Sequence, residues 1–166
     1  MIRSEISRSK IYPSANEEFH RRLAYWRYKG YRIVFTNGCF DIMHLGHIDY
    51  LSKASDEGDI LIIGLNTDES VRKIKGPTRP ISDENSRAMV LASMSMVDTV
   101  VMFSDDTPYQ LIELIQPDVL IKGSDYKPED IVGFDIVSKK GGEIKTIAFV
   151  EGYSTSKIEE KIRKDV

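Results

Sequence analysis

Five short apolar runs recur along the chain: Ile33 to Phe35, Ile60 to Leu65, Thr99 to Phe103, Val119 to Ile121 and Ile144 to Val150. They are rich in β-branched residues and nearly continuous, as strands buried on both faces should be. Helical patterns separate them, over Leu45 to Glu57, Asp68 to Ile74, Asp83 to Met96, Pro108 to Gln116 and Ile131 to Lys139. This alternation predicts an α/β fold: a parallel five-stranded sheet with helices on both faces and right-handed crossovers. Ahead of the first strand, Phe19, Leu23, Tyr25 and Trp26 give an amphipathic helix from Ala15 to Lys29, with Arg21, Arg22 and Arg27 on its wet side and Gly30 ending it. Residues 1–14 are polar and read as a flexible arm. The remaining 15–166 are expected to form one domain, since 166 residues suffice for one proper core.

In open parallel sheets, ligands bind beyond the carboxyl ends of the strands, where the strand order reverses. The five runs end in Thr36-Asn37-Gly38, Asn66-Thr67-Asp68, Ser104 to Thr107, Lys122-Gly123-Ser124-Asp125 and Glu151 to Ser156. Any one of these is an ordinary turn with a helix cap, as Asp68, Thr107 and Ser154 illustrate. All five on one rim favour a site.

The first of these turns carries the chemistry. Thr36 to His47 reads Thr-Asn-Gly-Cys-Phe-Asp-Ile-Met-His-Leu-Gly-His, between a strand and a helix. A helix N-terminus behind a glycine turn gathers backbone N–H groups that attract phosphate, and Gly38 allows close approach because it lacks a Cβ. His44 and His47, three apart, project from one side of the first helical turn. Two imidazoles there can donate to phosphoryl oxygens whose charge grows in a transition state. Alternatively, the same pair with Cys39 and Asp41 offers four metal ligands within nine residues. Arg72 to Arg79, broken by Gly76 and Pro77 and followed by Arg87, is the one concentrated basic patch, and it resembles a clamp for a polyphosphate tail or a solvated charge run.

Composition narrows the classes. The net charge of −3 argues against nucleic acid as the main partner. A single cysteine excludes an intrachain disulfide and suits a reducing cytoplasm. Neither a secretory h-region nor an apolar run of membrane-spanning length occurs, so no membrane association is expected. Walker-type, dinucleotide-binding and nucleophile-elbow glycine motifs are also missing, which weakens kinase, dehydrogenase and esterase readings.

Asn37-Gly-Cys-Phe-Asp41 followed by His44-x-Gly-His47 resembles the signature of the H-x-G-H nucleotidyltransferases, the cytidylyltransferase-like superfamily. Further similarity lies in Asn66-Thr-Asp-Glu-Ser, Arg79-Pro with Arg87, Val97-Asp98, Lys122-Gly-Ser-Asp-Tyr-Lys-Pro-Glu129 and Gly152-Tyr-Ser-Thr-Ser156. The Lys122 element looks most like the adenylyltransferase domain of bacterial heptose-phosphate enzymes. Glycerol-3-phosphate cytidylyltransferases are also similar, but carry Arg-Thr where this chain has Phe149-Val150.

The resemblance implies a Rossmann-like nucleotidyltransferase fold and transfer of AMP from ATP to D-glycero-β-D-manno-heptose 1-phosphate or another phosphorylated acceptor, with Mg²⁺ bound mainly through nucleotide phosphates. It implies catalytic roles for His44, His47, Lys75 and Arg87. Nucleotide contacts fall to Thr36, Asn37, Gly38, Cys39, Phe40, Gly46, Lys122, Gly123, Asp125, Ser154 and Thr155, and acceptor contacts to Asp41, Asn66, Asp68 and Arg79. A cytoplasmic homodimer is the implied form. A metal- or nucleotide-binding module without catalysis stays open beside it.

Overall fold

The structure is a computed structural model that describes residues 2–124 and 127–164. One parallel sheet runs through it, formed by β1 (Ile11–Tyr12), β2 (Ile33–Gly38), β3 (Ile60–Asn66), β4 (Thr99–Phe103), β5 (Val119–Gly123) and β6 (Glu143–Ile147), in the order β1-β4-β3-β2-β5-β6. It has six strands rather than the five expected. The added strand, β1, pairs in register with Val100 and Val101 of β4. At two residues it is too short to show any alternation, yet it covers an edge whose backbone groups would otherwise stand open. Lys10 beside it donates to the carbonyl of Val97 at 2.7 Å. The stretch expected to be a flexible arm thus holds a helix, α1 (Arg3–Arg8), and an edge strand.

Side-chain alternation along each strand divides the core in two. Ile33, Phe35, Ile62, Val101 and Leu120 face a cluster built with Phe19, Leu23 and Trp26 of α2 (Glu17–Tyr28), Leu111, Ile112 and Ile115 of α6 (Tyr109–Ile115), and Ile136 and Val137 of α7 (Phe134–Lys140). Val34, Leu61, Ile63, Val100 and Ile121 face Leu51 and Ala54 of α3 (Leu45–Ser55) and Ala88 and Leu91 of α5 (Glu84–Ala92). Every strand residue from Ile60 to Asn66 is buried, which is why the run looked continuous rather than alternating.

Local chemistry sets the element ends. Asn16 accepts from the Phe19 amide at 3.0 Å to start α2, and Asp83 accepts from the Asn85 and Ser86 amides to start α5. The helix expected over 83–96 stops at Ala92. That expected over 131–139 begins only at Phe134, after Gly133 takes a φ of 90° against the side chain of Ile112. Strand β6 ends at Ile147, which leaves Phe149 and Val150 beyond the sheet. No described helix is long and apolar enough to cross a membrane.

The strand order reverses at β2, which pairs with β3 on one side and β5 on the other. The tips of the two diverging halves are joined there by Lys122 Nζ donating to Asn37 Oδ1. On the other side of β2, Gly64 of β3 leaves room for the Phe35 and Asn37 side chains: a Cβ on it would lie 2.8 Å from the Phe35 ring and 3.1 Å from Cβ of Asn37. Gly64→Ala is expected to lower the free energy of unfolding by about 1–3 kcal/mol through overpacking. A urea midpoint unchanged from the parent would contradict this account of the strand contact.

Candidate active site

A cavity of about 360 Å³ opens at the β2–β5 switch point, lined by Asn37, Gly38, Cys39, Phe40, Asp41, His47, Tyr50, Ile74, Lys75, Lys122, Gly123, Phe149 and Thr155. Two lysines and a helix N-terminus around a small cavity make an anion-attracting space. Lys75 ends α4 (Asp68–Lys75), and Thr155 begins α8 (Thr155–Lys164).

His44 is the N-cap of α3, and His47 lies within its first turn. Their rings stack at 3.8 Å between centroids, 21° from parallel. Such close faces resist two positive charges, and burial adds to that. Burial pushes His44 below its ordinary value. Burial, with the nearby charges of His44 and Lys75, brings His47 down to about 4, against a hydrogen bond with the Ile42 backbone that favours the cation. Both imidazoles are therefore neutral near pH 7. A base depressed on folding is protonated first in the unfolded chain, so His47 costs stability as pH falls from about 6.5 towards 4. The Nδ1 atoms of both rings are buried without a hydrogen-bond partner, an unfavourable state of the kind found at functional sites. Gly46 makes room for the pair, since its Cβ would sit 3.1 Å from the His44 ring.

The stack also bears on the metal alternative. The rings lie face to face, and the Asp41 carboxylate is already committed. Among the described residues no three His, Cys, Asp or Glu side chains are grouped to hold a metal ion. Burial raises the Cys39 thiol above its ordinary value despite the opposing pull of Lys75 and Arg87, so it is a poor thiolate nucleophile.

Arg87, expected to balance triphosphate charge, instead lies beneath the rim with its side chain fully buried. Its Nε donates to the Ser82 carbonyl at 3.0 Å, Nη1 to the Cys39 carbonyl at 2.6 Å and Nη2 to Asp68 Oδ1 at 2.8 Å. All three nitrogens bind protein atoms, so the guanidinium braces the turn after β2 and does not reach the cavity.

The residues expected to read the acceptor are similarly occupied. Asp41 accepts from Arg79 Nη1, the Ile81 amide and the Ser82 amide, each at 2.9 Å. Burial alone would raise its carboxyl, but these bonds outweigh it and hold the group below the usual carboxylate range. Asn66 donates to Ser70 Oγ at 2.9 Å, and Asp68 is held by Arg87 and, through its amide, by Glu84. Of these four, Asp41 lines the cavity. Thr36 is buried beneath it, with Oγ1 2.8 Å from the Tyr50 hydroxyl. Ser154 accepts from the Lys157 amide as a cap at the start of α8. Asp125 lies outside the described residues.

Sequence reasoning misses three wall residues, Tyr50, Ile74 and Phe149. Tyr50 falls inside the helical pattern and Phe149 inside the last apolar run, so the sequence marks neither as a wall residue. The two rings stack at 5.7 Å, and Phe149 stays half exposed, giving the cavity an aromatic wall beside its cationic one.

The cytidylyltransferase-like family model matches residues 35–161, from the strand before the histidine turn to within α8. The chain belongs to the cytidylyltransferase-like family. It is 53% identical over 135 residues to the bifunctional protein HldE of Geotalea uraniireducens and 56% identical over 135 residues to that of Campylobacter jejuni subsp. doylei, covering 81% of this chain and 28% of each relative. The chain thus spans under a third of the length of these family members. Among solved structures, the lipopolysaccharide core biosynthesis protein of Thermoplasma volcanium matches with a TM-score of 0.58 and 28% identity over 75% of this chain and all of that one. A pantoate-beta-alanine ligase of Francisella tularensis shares the fold at a TM-score of 0.56 and 16% identity, over 92% of this chain and 76% of that one.

Arg87→Lys keeps the charge but loses the fork. It is expected to destabilise the protein by about 1–3 kcal/mol, the cost of leaving buried carbonyl acceptors without their donors. Unaltered urea unfolding would show that the guanidinium does not brace the rim.

Proposed function

We propose that the chain is a nucleotidyltransferase that transfers AMP from ATP to a sugar 1-phosphate, most specifically D-glycero-β-D-manno-heptose 1-phosphate, giving ADP-heptose and pyrophosphate. The observation that carries this reading is the stacked, neutral imidazole pair at the α3 N-terminus, of which His47 lines a cavity that Lys75 and Lys122 make cationic. Membership of the family and similarity to HldE proteins and to a lipopolysaccharide core biosynthesis protein support the same chemistry.

In this mechanism an acceptor phosphate oxygen attacks the α-phosphorus in line. The new P–O bond forms as the bond to the β-phosphate bridging oxygen breaks, and that oxygen leaves with pyrophosphate. Positioning and charge neutralisation accelerate such a step without a protein nucleophile. His44 and His47 donate from neutral rings to α-phosphoryl oxygens. Lys75 draws the charge developing on the leaving pyrophosphate, and Lys122, at the tip of β5, holds the nucleotide against Asn37. Phe149 offers its exposed face to the base. The wall is cationic, and the Asp41 oxygens are committed within the protein, so Mg²⁺ fits as an ion carried by the nucleotide phosphates and its own waters. When bound, it supplies further neutralisation of the triphosphate. A cytoplasmic setting accords with the single free cysteine.

Pyrophosphate release measured over four NTPs and several acceptors, including heptose 1-phosphate and glycerol 3-phosphate, tests the reading. ATP with the heptose is the expected productive pair. CTP with glycerol 3-phosphate would move the chain to the cytidylyltransferase branch, and no release with any pair would overturn the assignment. His47→Ala is expected to lower kcat on the order of 10²-fold or more, as loss of a transition-state donor does. Lys75→Ala should cost less and act partly on the apparent NTP affinity. Turnover of His47→Ala within a few-fold of the parent would remove the imidazoles from the mechanism.

A further inference from the structure

Helix α8 has none of its ten residues buried, although its first residue, Thr155, forms part of the cavity wall. Hydrophobic burial therefore contributes little to docking it, and a helix of this length is marginal by itself. Its position over the cavity needs another source.

Arg79 supplies one. Its Nη1 lies 2.9 Å from Asp41 Oδ2, while its Nη2 lies 2.5 Å from Oε1 of Glu159, in the middle of α8. Both ends of this bridge are sheltered, with the Arg79 and Glu159 side chains 17% and 18% exposed and that of Asp41 1% exposed. Asp41 is three residues before His44 and also holds the amides of Ile81 and Ser82. One guanidinium therefore ties together the histidine turn, the loop after Lys75 and α8. Fully exposed ion pairs contribute little, but a sheltered pair whose arginine is fixed by a second carboxylate loses less entropy on forming.

We infer that Glu159 is a positioning residue: through Arg79 it holds α8 against the nucleotide cavity, and so keeps Thr155 in place. Glu159 itself does not line the cavity. Its effect passes through helix placement, and it belongs to substrate binding more than to the chemical step. The kinetic part of this inference rests on the nucleotidyltransferase reading above; the structural part does not.

Two measurements on Glu159→Gln test it. In the free protein, amide hydrogen exchange over 155–164 should quicken about five-fold, the scale of a partly screened ion pair, with the sheet amides unaffected. Added salt should narrow the difference. In the pyrophosphate assay the apparent KM for ATP should rise about five-fold with kcat within about two-fold, and Glu159→Asp, which keeps the charge, should recover most of the loss. Unchanged exchange over α8 would overturn the latch, and quickened exchange with an unchanged KM would overturn its role at the cavity. If the parent protein releases no pyrophosphate with any acceptor, the functional reading fails, while the exchange comparison still decides the latch.

Discussion

The reversal of strand order at β2 is the constraint on which the rest of the molecule depends. β2 is hydrogen-bonded along its whole length to β3 and near its start to β5. The connections therefore leave to opposite sides, and the carboxyl tips of β2 and β5 face the crevice between them. Everything chemically notable converges there: the glycine turn, the imidazole stack, both lysines and the N-terminus of α8. Polar residues alone do not mark such a place. The opposite rim is polar too, with Asp59, Asp98 and Asp118 accepting from the Arg32, Leu61 and Ile33 amides, and those carboxylates simply close the sheet.

Beneath the crevice a polar bracket holds the loops in register. Arg87 binds the turn after β2, the loop before α5 and the first residue of α4, and Asp41 with Arg79 repeats the device one layer further out. Each buried charge is paired and hydrogen-bonded, as burial demands. Among the described residues, Lys75 and Lys122 are the cations that line the cavity, whereas the Arg87 and Arg79 guanidiniums are turned to protein acceptors.

Much of this was legible in the sequence, and the failures have physical causes. The apolar runs located five strands because burial on both faces leaves an unbroken signal. β1 escaped because two residues carry no period, and its role as an edge cover is visible only once β4 is placed. The histidine turn was readable because strand, glycine and helix start lie within twelve residues. The split between Lys75 and Arg87 was not: both are cations on consecutive helices, and a charge in a sequence does not reveal whether it faces a ligand or a carbonyl. Tyr50 and Phe149 were missed because an apolar residue at a wall looks like one in a core.

On the proposed reading, the imidazole pair meets the nucleotide's phosphates. The most direct test of this is the titration of the His47 ring, followed by NMR with labelled imidazole nitrogens, without and with saturating Mg-nucleotide. In the free protein the ring should stay neutral until the pH nears about 4. A triphosphate beside it favours the cation, so its titration should move up towards the ordinary 6.5 when nucleotide binds. A His47 titration that saturating nucleotide leaves unmoved would contradict the account.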